Sequence, residues 1–207
     1  RPASTLSLCD AIIPGETFFY WYHDPEKRDA SQNGDFYYAY IVGDIDNLKG
    51  EFFYRQWGVP HILLPEIRGK DGRVFPKAAR GTRTMLAHTL HFDMLYFPTM
   101  CDVSEIYKIY RIRNEFGMAG VEFVPYWENK LFRTDNKNIK ASYYKKDNRV
   151  MLIVSNIQFS DTEFKVTLPK GFSKVREMQR KAMLPVENGK FGDKLLAYDF
   201  AIYEIGE

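Results

Sequence analysis

Cysteine is scarce: Cys9 and Cys101 are the two in 207 residues. Two residues so far apart cannot make a CxxC metal or redox motif, and a chain of this length can hold a core without staples. Unpaired thiols are the expectation, with a structural disulfide as the alternative. Charge of one sign is also missing: 29 Lys and Arg face 27 Asp and Glu, a net +2. Such a balance gives no field that would draw a nucleic acid or an anionic membrane surface, and neither is an expected partner. No apolar run approaches the roughly 20 residues of a spanning helix. The sequence has no nucleophile elbow and no phosphate-cradling glycine loop, so acyl-transfer and nucleotide chemistry find no support and no cofactor is expected. The opening Arg1-Pro2-Ala3-Ser4 has neither a Met nor the charged-then-apolar order of a signal peptide, and a processed or partial chain is the expectation.

What is present is ordinary globular composition, 45% hydrophobic and 16% aromatic. The polar stretch Thr134-Asp135-Asn136-Lys137-Asn138 separates two periodicities and predicts a domain boundary, with residues 1–136 before it and 137–207 after it. Upstream, amphipathic segments alternate with short apolar runs. Residues 81–97 read as a helix, with Leu86, Leu90, Met94 and Phe97 on one face. Val103 to Phe116 reads as another, opened by Asp102 and Glu105 as a capping box and closed by Gly117; Ile106, Ile109, Ile112 and Phe116 are its buried stripe. The run 121–125 then reads as a strand, completing a helix, turn and strand unit. The run 61–65 reads as a buried strand, or as a helix segment, which a short apolar run cannot distinguish.

Downstream, Ile139, Ala141 and Tyr143 alternate, Asp147-Asn148 can turn, and 150–154 is continuously apolar, which predicts a hairpin. Phe164, Val166 and Leu168 alternate next. Asn188-Gly189 signals a two-residue turn, and 195–205 reads as one final long strand. Five to seven short strands in this segment predict an antiparallel β-sandwich.

The string RTMLAHTLHFD at 83–93, Asn114-Glu-Phe-Gly117, Val121-Glu-Phe-Val-Pro-Tyr-Trp-Glu-Asn129 and Val150-Met-Leu-Ile-Val-Ser-Asn156 occur in an order that resembles the C-terminal part of glycoside hydrolase family 123-like proteins. The likeness covers about residues 36–168. It departs at Pro125-Tyr126, where the family pattern has Gly-Tyr, and at Asp44-Ile-Asp46, where a Gly-Glu phrase is common. The resemblance implies the later strands of a (β/α)₈ barrel over 1–136, a β-sandwich over 137–207, and action on glycosidic bonds. A whole barrel takes about 250 residues, more than precede the boundary. The resemblance also implies a bacterial protein in a periplasmic, cell-surface or secreted setting.

Glycoside hydrolysis needs paired carboxyl groups, and barrel enzymes carry them at the C-terminal ends of strands. Asp44 and Asp46 follow the run 40–43; on an extended segment they would point the same way, or else lie in a solvated turn. Glu66 follows 62–65, and Glu122 lies within the strand at 121–125. These four are the candidate catalytic residues. Trp57, His61, Tyr126, Trp127 and Glu128 are the candidate substrate contacts, because aromatic faces stack on sugar rings while carboxylates hold hydroxyls. Trp127 could equally plug a core. His88, His91 and Asp93 could in principle hold a metal, but their spacing differs from HExxH, and no metal is expected. The aromatic cluster at 18–24 reads as a buried strand before a sugar platform. Two other readings stand beside the hydrolase: a non-catalytic carbohydrate-binding module, and a structural remnant whose open sheet edges are covered by self-association or by more of the barrel.

Overall fold

The computed structural model describes residues 11, 13, 44–52, 60–65, 67 and 79–207. The aromatic cluster at 18–24, Cys9, Trp57 and Glu66 lie outside these residues. The described chain is mainly sheet, in open sheets, and divides into two compact units, Arg1–Tyr107 and Lys108–Glu207.

In the first unit, helix α1 spans Ile45–Phe52. Ile45, Leu48 and Phe52 recur at helical spacing and are all buried, and Phe52 meets the Phe92 ring at 6.1 Å. Of the two readings of Asp44 and Asp46, the extended segment does not hold: both stand exposed at a helix start. Strand β1, Ile62–Leu63, pairs in parallel with β2, Leu95–Tyr96, and helix α2, Ala79–Thr89, lies between them in the chain. Parallel neighbours need a crossover, and a helix is the usual one.

The helix expected over 81–97 is shorter. After Thr89 one 3₁₀ turn runs Leu90–Phe92, and Asp93 takes a left-handed backbone, φ 54°, that ends it. The chain then turns into β2, where the Leu95 N–H donates to the His61 carbonyl at 2.9 Å and the Phe97 N–H to that of Leu63 at 2.8 Å. The Thr89 hydroxyl, bonded to the Met85 carbonyl and to the Tyr96 hydroxyl, ties the helix end to the strand.

Helix α3 runs Val103–Phe116, as its caps predict. The Asp102 carboxylate accepts the Ser104 N–H at 3.0 Å, the N-cap bond. Glu105 does not complete the capping box; its carboxylate takes Arg83 at 3.0 Å instead. Cys101, just ahead, is buried and free of any disulfide, and burial together with the Asp102 charge pushes its thiol up to about 12. At the other end Gly117, φ 81°, closes the helix, its N–H donating to the Arg113 carbonyl at 2.9 Å.

The second unit holds β3 (Glu122–Val124), β4 (Arg133–Thr134), β5 (Ile139–Lys146), β6 (Arg149–Asn156), β7 (Thr162–Thr167), β8 (Lys174–Glu177), β9 (Ala182–Leu184), β10 (Lys190–Leu195) and β11 (Asp199–Gly206). Six strands form one antiparallel sheet in the order β3-β5-β6-β11-β8-β9, and three form a second, β10-β7-β4. Their inward residues make one buried cluster, with Tyr143, Leu152, Val154, Tyr203 and Ile205 from the large sheet and Phe164, Val166 and Phe191 from the small one. Each side chain of this size, fully buried, contributes about 1.5–3 kcal/mol. At one edge of this core, Glu177 and Asp193 share Arg180, and the buried Tyr203 hydroxyl donates to Asp193 at 2.8 Å. The opposite face of the large sheet carries Tyr144, Met151, Ile153 and Ile202, so β6 and β11 are buried on both sides and read as apolar runs. The C-terminal part of α3 is anchored to this face. Arg113 donates to the Tyr144 hydroxyl at 3.0 Å, Arg149 to the Phe116 carbonyl at 3.0 Å, and Arg176 to Glu115 at 2.6 Å.

Two expectations are corrected here. The strand at 121–125 does not extend a barrel: β3 pairs antiparallel with β5, Phe123 opposite Tyr144. The final strand is not continuous over 195–205. Tyr198, φ 47°, bends the chain between β10 in the small sheet and β11 in the large one, and the Ala197 N–H bonds to Asp161 at 3.0 Å at this bend. The expected hairpin turns at Asp147-Asn148 and Asn188-Gly189 are present, with Asp147, Asn188 and Gly189 at positive φ. The boundary expected between 136 and 137 falls inside the second unit, where β3 and β4 pair with strands from beyond it.

Candidate functional site

Each unit places part of the candidate set. In the first, Asp44 is exposed at φ 56° and caps α1: its Oδ1 accepts the Asp46 N–H at 3.2 Å, and its carbonyl the Leu48 N–H at 3.0 Å. Asp46 is exposed in the first turn. A carboxylate at a helix start is held by the helix's own amides and dipole, a structural duty that a solvent-facing cap performs without substrate. His61 is fully buried. His88 is buried too, its Nδ1 in a 2.8 Å hydrogen bond with the Thr84 carbonyl, and burial pulls its imidazole down to about 4. His91 is buried, Asp93 sits at the left-handed turn after it, and no three His, Cys, Asp or Glu among the described residues gather as a metal site.

In the second unit, the chain leaves β3 through Pro125 into a turn, where the Pro125 carbonyl accepts the N–H groups of Glu128 and Asn129, each at 3.0 Å. The turn presents Tyr126, Trp127 and Glu128 together. The two rings meet edge to face, centroids 4.9 Å apart, and the indole N–H donates to the Glu128 carboxylate at 3.2 Å. Glu122 is exposed on β3 and faces Lys145 across the ladder. Burial, and secondarily the Glu122 charge, raises the Tyr143 hydroxyl above its ordinary value.

Asn129 holds the loop that leads from this turn into β4. Its Nδ2 donates to the Phe132 and Ala141 carbonyls, both at 2.9 Å, while its Oδ1 accepts the N–H groups of Leu131 and Phe132 at 3.1 and 2.9 Å. All of an amide side chain's main bonding capacity is thereby spent on that loop and on β5 beside it. Above it lies an open cleft of about 320 Å³ lined by Tyr126, Arg133, Lys137 and Lys140, with Phe132 and Ile139 beneath. The Lys140 ammonium stands 5.1 Å from the Tyr126 ring centroid, a cation–π contact. Of the sequence candidates, then, the structure unites Tyr126, Trp127 and Glu128. The three cations around Tyr126 are not among those candidates, although Lys130, Arg133, Lys137 and Lys140 recur at spacings of three or four, the signal that could have found them.

The backbone resembles those of solved glycoside hydrolases of barrel and sandwich type. It is similar to a noncanonic maltogenic α-amylase from Thermotoga neapolitana (11% identity, TM-score 0.54, all of this chain and 53% of that one). It is also similar to the α-amylase of Geobacillus thermoleovorans (12%, 0.52, 90% and 52%) and to an Anoxybacillus α-amylase (13%, 0.51, 99% and 50%). The chain thus spans about half the length of these structures, and at such identities the likeness concerns the fold alone. In sequence, residues 105–188 match the model of the glycoside hydrolase 123 C-terminal domain, and the chain resembles the C-terminal part of that family's proteins. No curated protein matches it in sequence.

Proposed function

We propose that the chain is the C-terminal portion of a glycoside hydrolase-like protein that acts on the glycosidic bonds of polysaccharides or glycans. The match of residues 105–188 to the glycoside hydrolase 123 C-terminal domain carries this reading. In it, the parallel β1 and β2 with α2 between them are a piece of a (β/α) barrel, and the two antiparallel sheets are the β-sandwich that comes after it. Asp44, Asp46, Glu66 and Glu122 remain its candidate acid, base or nucleophile, and Trp57, His61, Tyr126, Trp127 and Glu128 its sugar contacts. The setting proposed is periplasmic, cell-surface or secreted, with self-association or further barrel strands covering open sheet edges.

The test is hydrolysis of a panel of chromogenic glycosides and polysaccharides by the polypeptide that carries this sequence, with Asp44→Asn, Asp46→Asn, Glu66→Gln and Glu122→Gln beside it. A residue that performs acid, base or nucleophilic work loses about 10²-fold or more in rate when neutralised. Full activity in all four variants would remove these carboxylates from the mechanism. A second reading, a non-catalytic carbohydrate-binding module, is favoured by one observation: no carboxylate lines the Tyr126 cleft, so a glycan would be held there and not cleaved. Glycan binding without hydrolysis by any form of the protein would decide for it.

A further inference from the structure

Some charged side chains of the second unit are held in ion pairs. Arg149 and Arg176 share Glu204, Arg176 also holds Glu115, and Arg180 spans Glu177 and Asp193. Among the described residues, the cations that line the Tyr126 cleft, Arg133, Lys137 and Lys140, have no ion-pair partner. The acids nearest in sequence are turned elsewhere. Asp135 accepts the Lys165 N–H at 2.9 Å, and Glu128 accepts the indole of Trp127. Three cations thus line one concavity without a carboxylate among its walls.

The concavity is also held in shape before any ligand arrives. Asn129 locks the loop to itself and to β5 with four bonds, and the Thr134 hydroxyl shares its one proton between the Asn136 and Ile139 carbonyls, both at 3.1 Å. The ladder Arg133↔Thr167 fixes the strand that carries Arg133. A preorganised cluster of like charges, held apart from its counter-ions, is what an anion-binding site requires. Tyr126 adds an aromatic wall, and the volume of about 320 Å³ lies at the small end of ligand clefts, enough to seat one sugar unit.

We infer that this cleft binds the charged unit of an acidic glycan, with Arg133, Lys137 and Lys140 on the anionic group and Tyr126 against the sugar ring. The inference rests on the reading of the unit as glycan-acting and adds the substrate class: a sugar bearing a carboxylate or a sulfate ester. Arg133 supplies a planar fork of donors that suits both oxyanions, and the two ammonium groups supply point charge. A neutral sugar would leave three like charges uncompensated, which is the basis of discrimination.

The test is calorimetric titration of the full chain with trigalacturonate, a sulfated galactan tetrasaccharide, neutral xylotriose and inorganic sulfate. At least one of the two acidic probes is expected to bind at least tenfold tighter than xylotriose, weakening as salt rises from roughly 20 to 200 mM. Which of the two prevails tells a uronate from a sulfate ester as the source of the charge. Arg133→Ala with Lys137→Ala, both at exposed positions, should lower that affinity more than tenfold. Tyr126→Ala should weaken the acidic sugar several-fold and leave inorganic sulfate unchanged. Equal binding of xylotriose, an unchanged double variant, or inorganic sulfate bound as tightly as the sulfated sugar would overturn the inference. Xylotriose bound as tightly as the acidic probes would do so while leaving the glycan-acting reading standing, whereas no glycan binding together with no hydrolysis would remove both.

Discussion

Replacing His88 by Asn should flatten a pH dependence that the fold builds into the first unit. His88 is fully buried, and burial brings its imidazole from an ordinary 6.5 down to about 4. In the folded chain the ring is therefore neutral at pH 5, whereas in the unfolded chain it takes a proton below 6.5. Its contribution is intact above the unfolded value and is lost as pH falls towards the folded one. With those two values, the linkage relation gives a loss of about 2 kcal/mol between pH 7 and pH 5 and about 3 kcal/mol by pH 4. Asn carries an N–H near the place of Nδ1, so His88→Asn can keep a bond to the Thr84 carbonyl without a titrating group. The assay is urea unfolding of both proteins at pH 7 and pH 5. The stability advantage of the wild type over the variant should shrink by about 2 kcal/mol on acidification. An advantage that stays constant over that range would refute the claim that the folded protein keeps this ring neutral.

Changes at three further positions probe the second unit by the same unfolding measurement at neutral pH. Gly117→Ala should cost about 1–2 kcal/mol, because φ is 81° and the new Cβ would stand 3.2 Å from the Lys146 ammonium, which donates to the Gly117 carbonyl at 2.7 Å; no loss would mean that this turn relaxes freely. Asn129→Ala should cost about 2–4 kcal/mol for four loop bonds, and Asn129→Asp, which keeps the two accepted bonds, roughly half. Equal costs for the two variants would show that the donated bonds contribute nothing. Tyr203→Phe should cost about 1.5–3 kcal/mol, since its buried hydroxyl serves the Asp193 carboxylate; an unchanged midpoint would mean that Arg180 satisfies Asp193 alone.

How much of the fold is legible in the sequence depends on whether the deciding interaction is local. Helix α3 is, because its N-cap at Asp102, its glycine stop and its apolar stripe all lie within sixteen residues of one another. The hairpin β5–β6 is, because alternation and turn residues act over the same short range. The left-handed turns at Asp93 and Tyr198 are not. Neither is a glycine, so neither announces positive φ, and the long helix and long strand expected through them come apart there. The start of α1 has a local signature of its own, since Asp44 before Ile45, Leu48 and Phe52 is a cap and a stripe; two aspartates after an apolar run also fit a carboxylate pair, and the helix reading wins.

Strand β3 shows a deeper limit. Three residues can say that they form a strand, but their partner is chosen by packing across the whole sheet. Phe123 lies against the Tyr144 ring, centroids 4.7 Å apart, and Tyr144 in turn accepts the bond from Arg113 on α3. That contact spans 31 positions of sequence and has no local signature. The site divides in the same way. Tyr126-Trp127-Glu128 is visible because the residues are adjacent, while the cations around Tyr126 read as a solvated loop between domains. They become a site only because Asn129 folds that loop back onto β5 through the Ala141 carbonyl, which brings Lys140 over the ring. The chemistry of the cleft is therefore a property of one amide's hydrogen bonds, and Asn129→Ala should abolish acidic-sugar binding even in a protein that still folds.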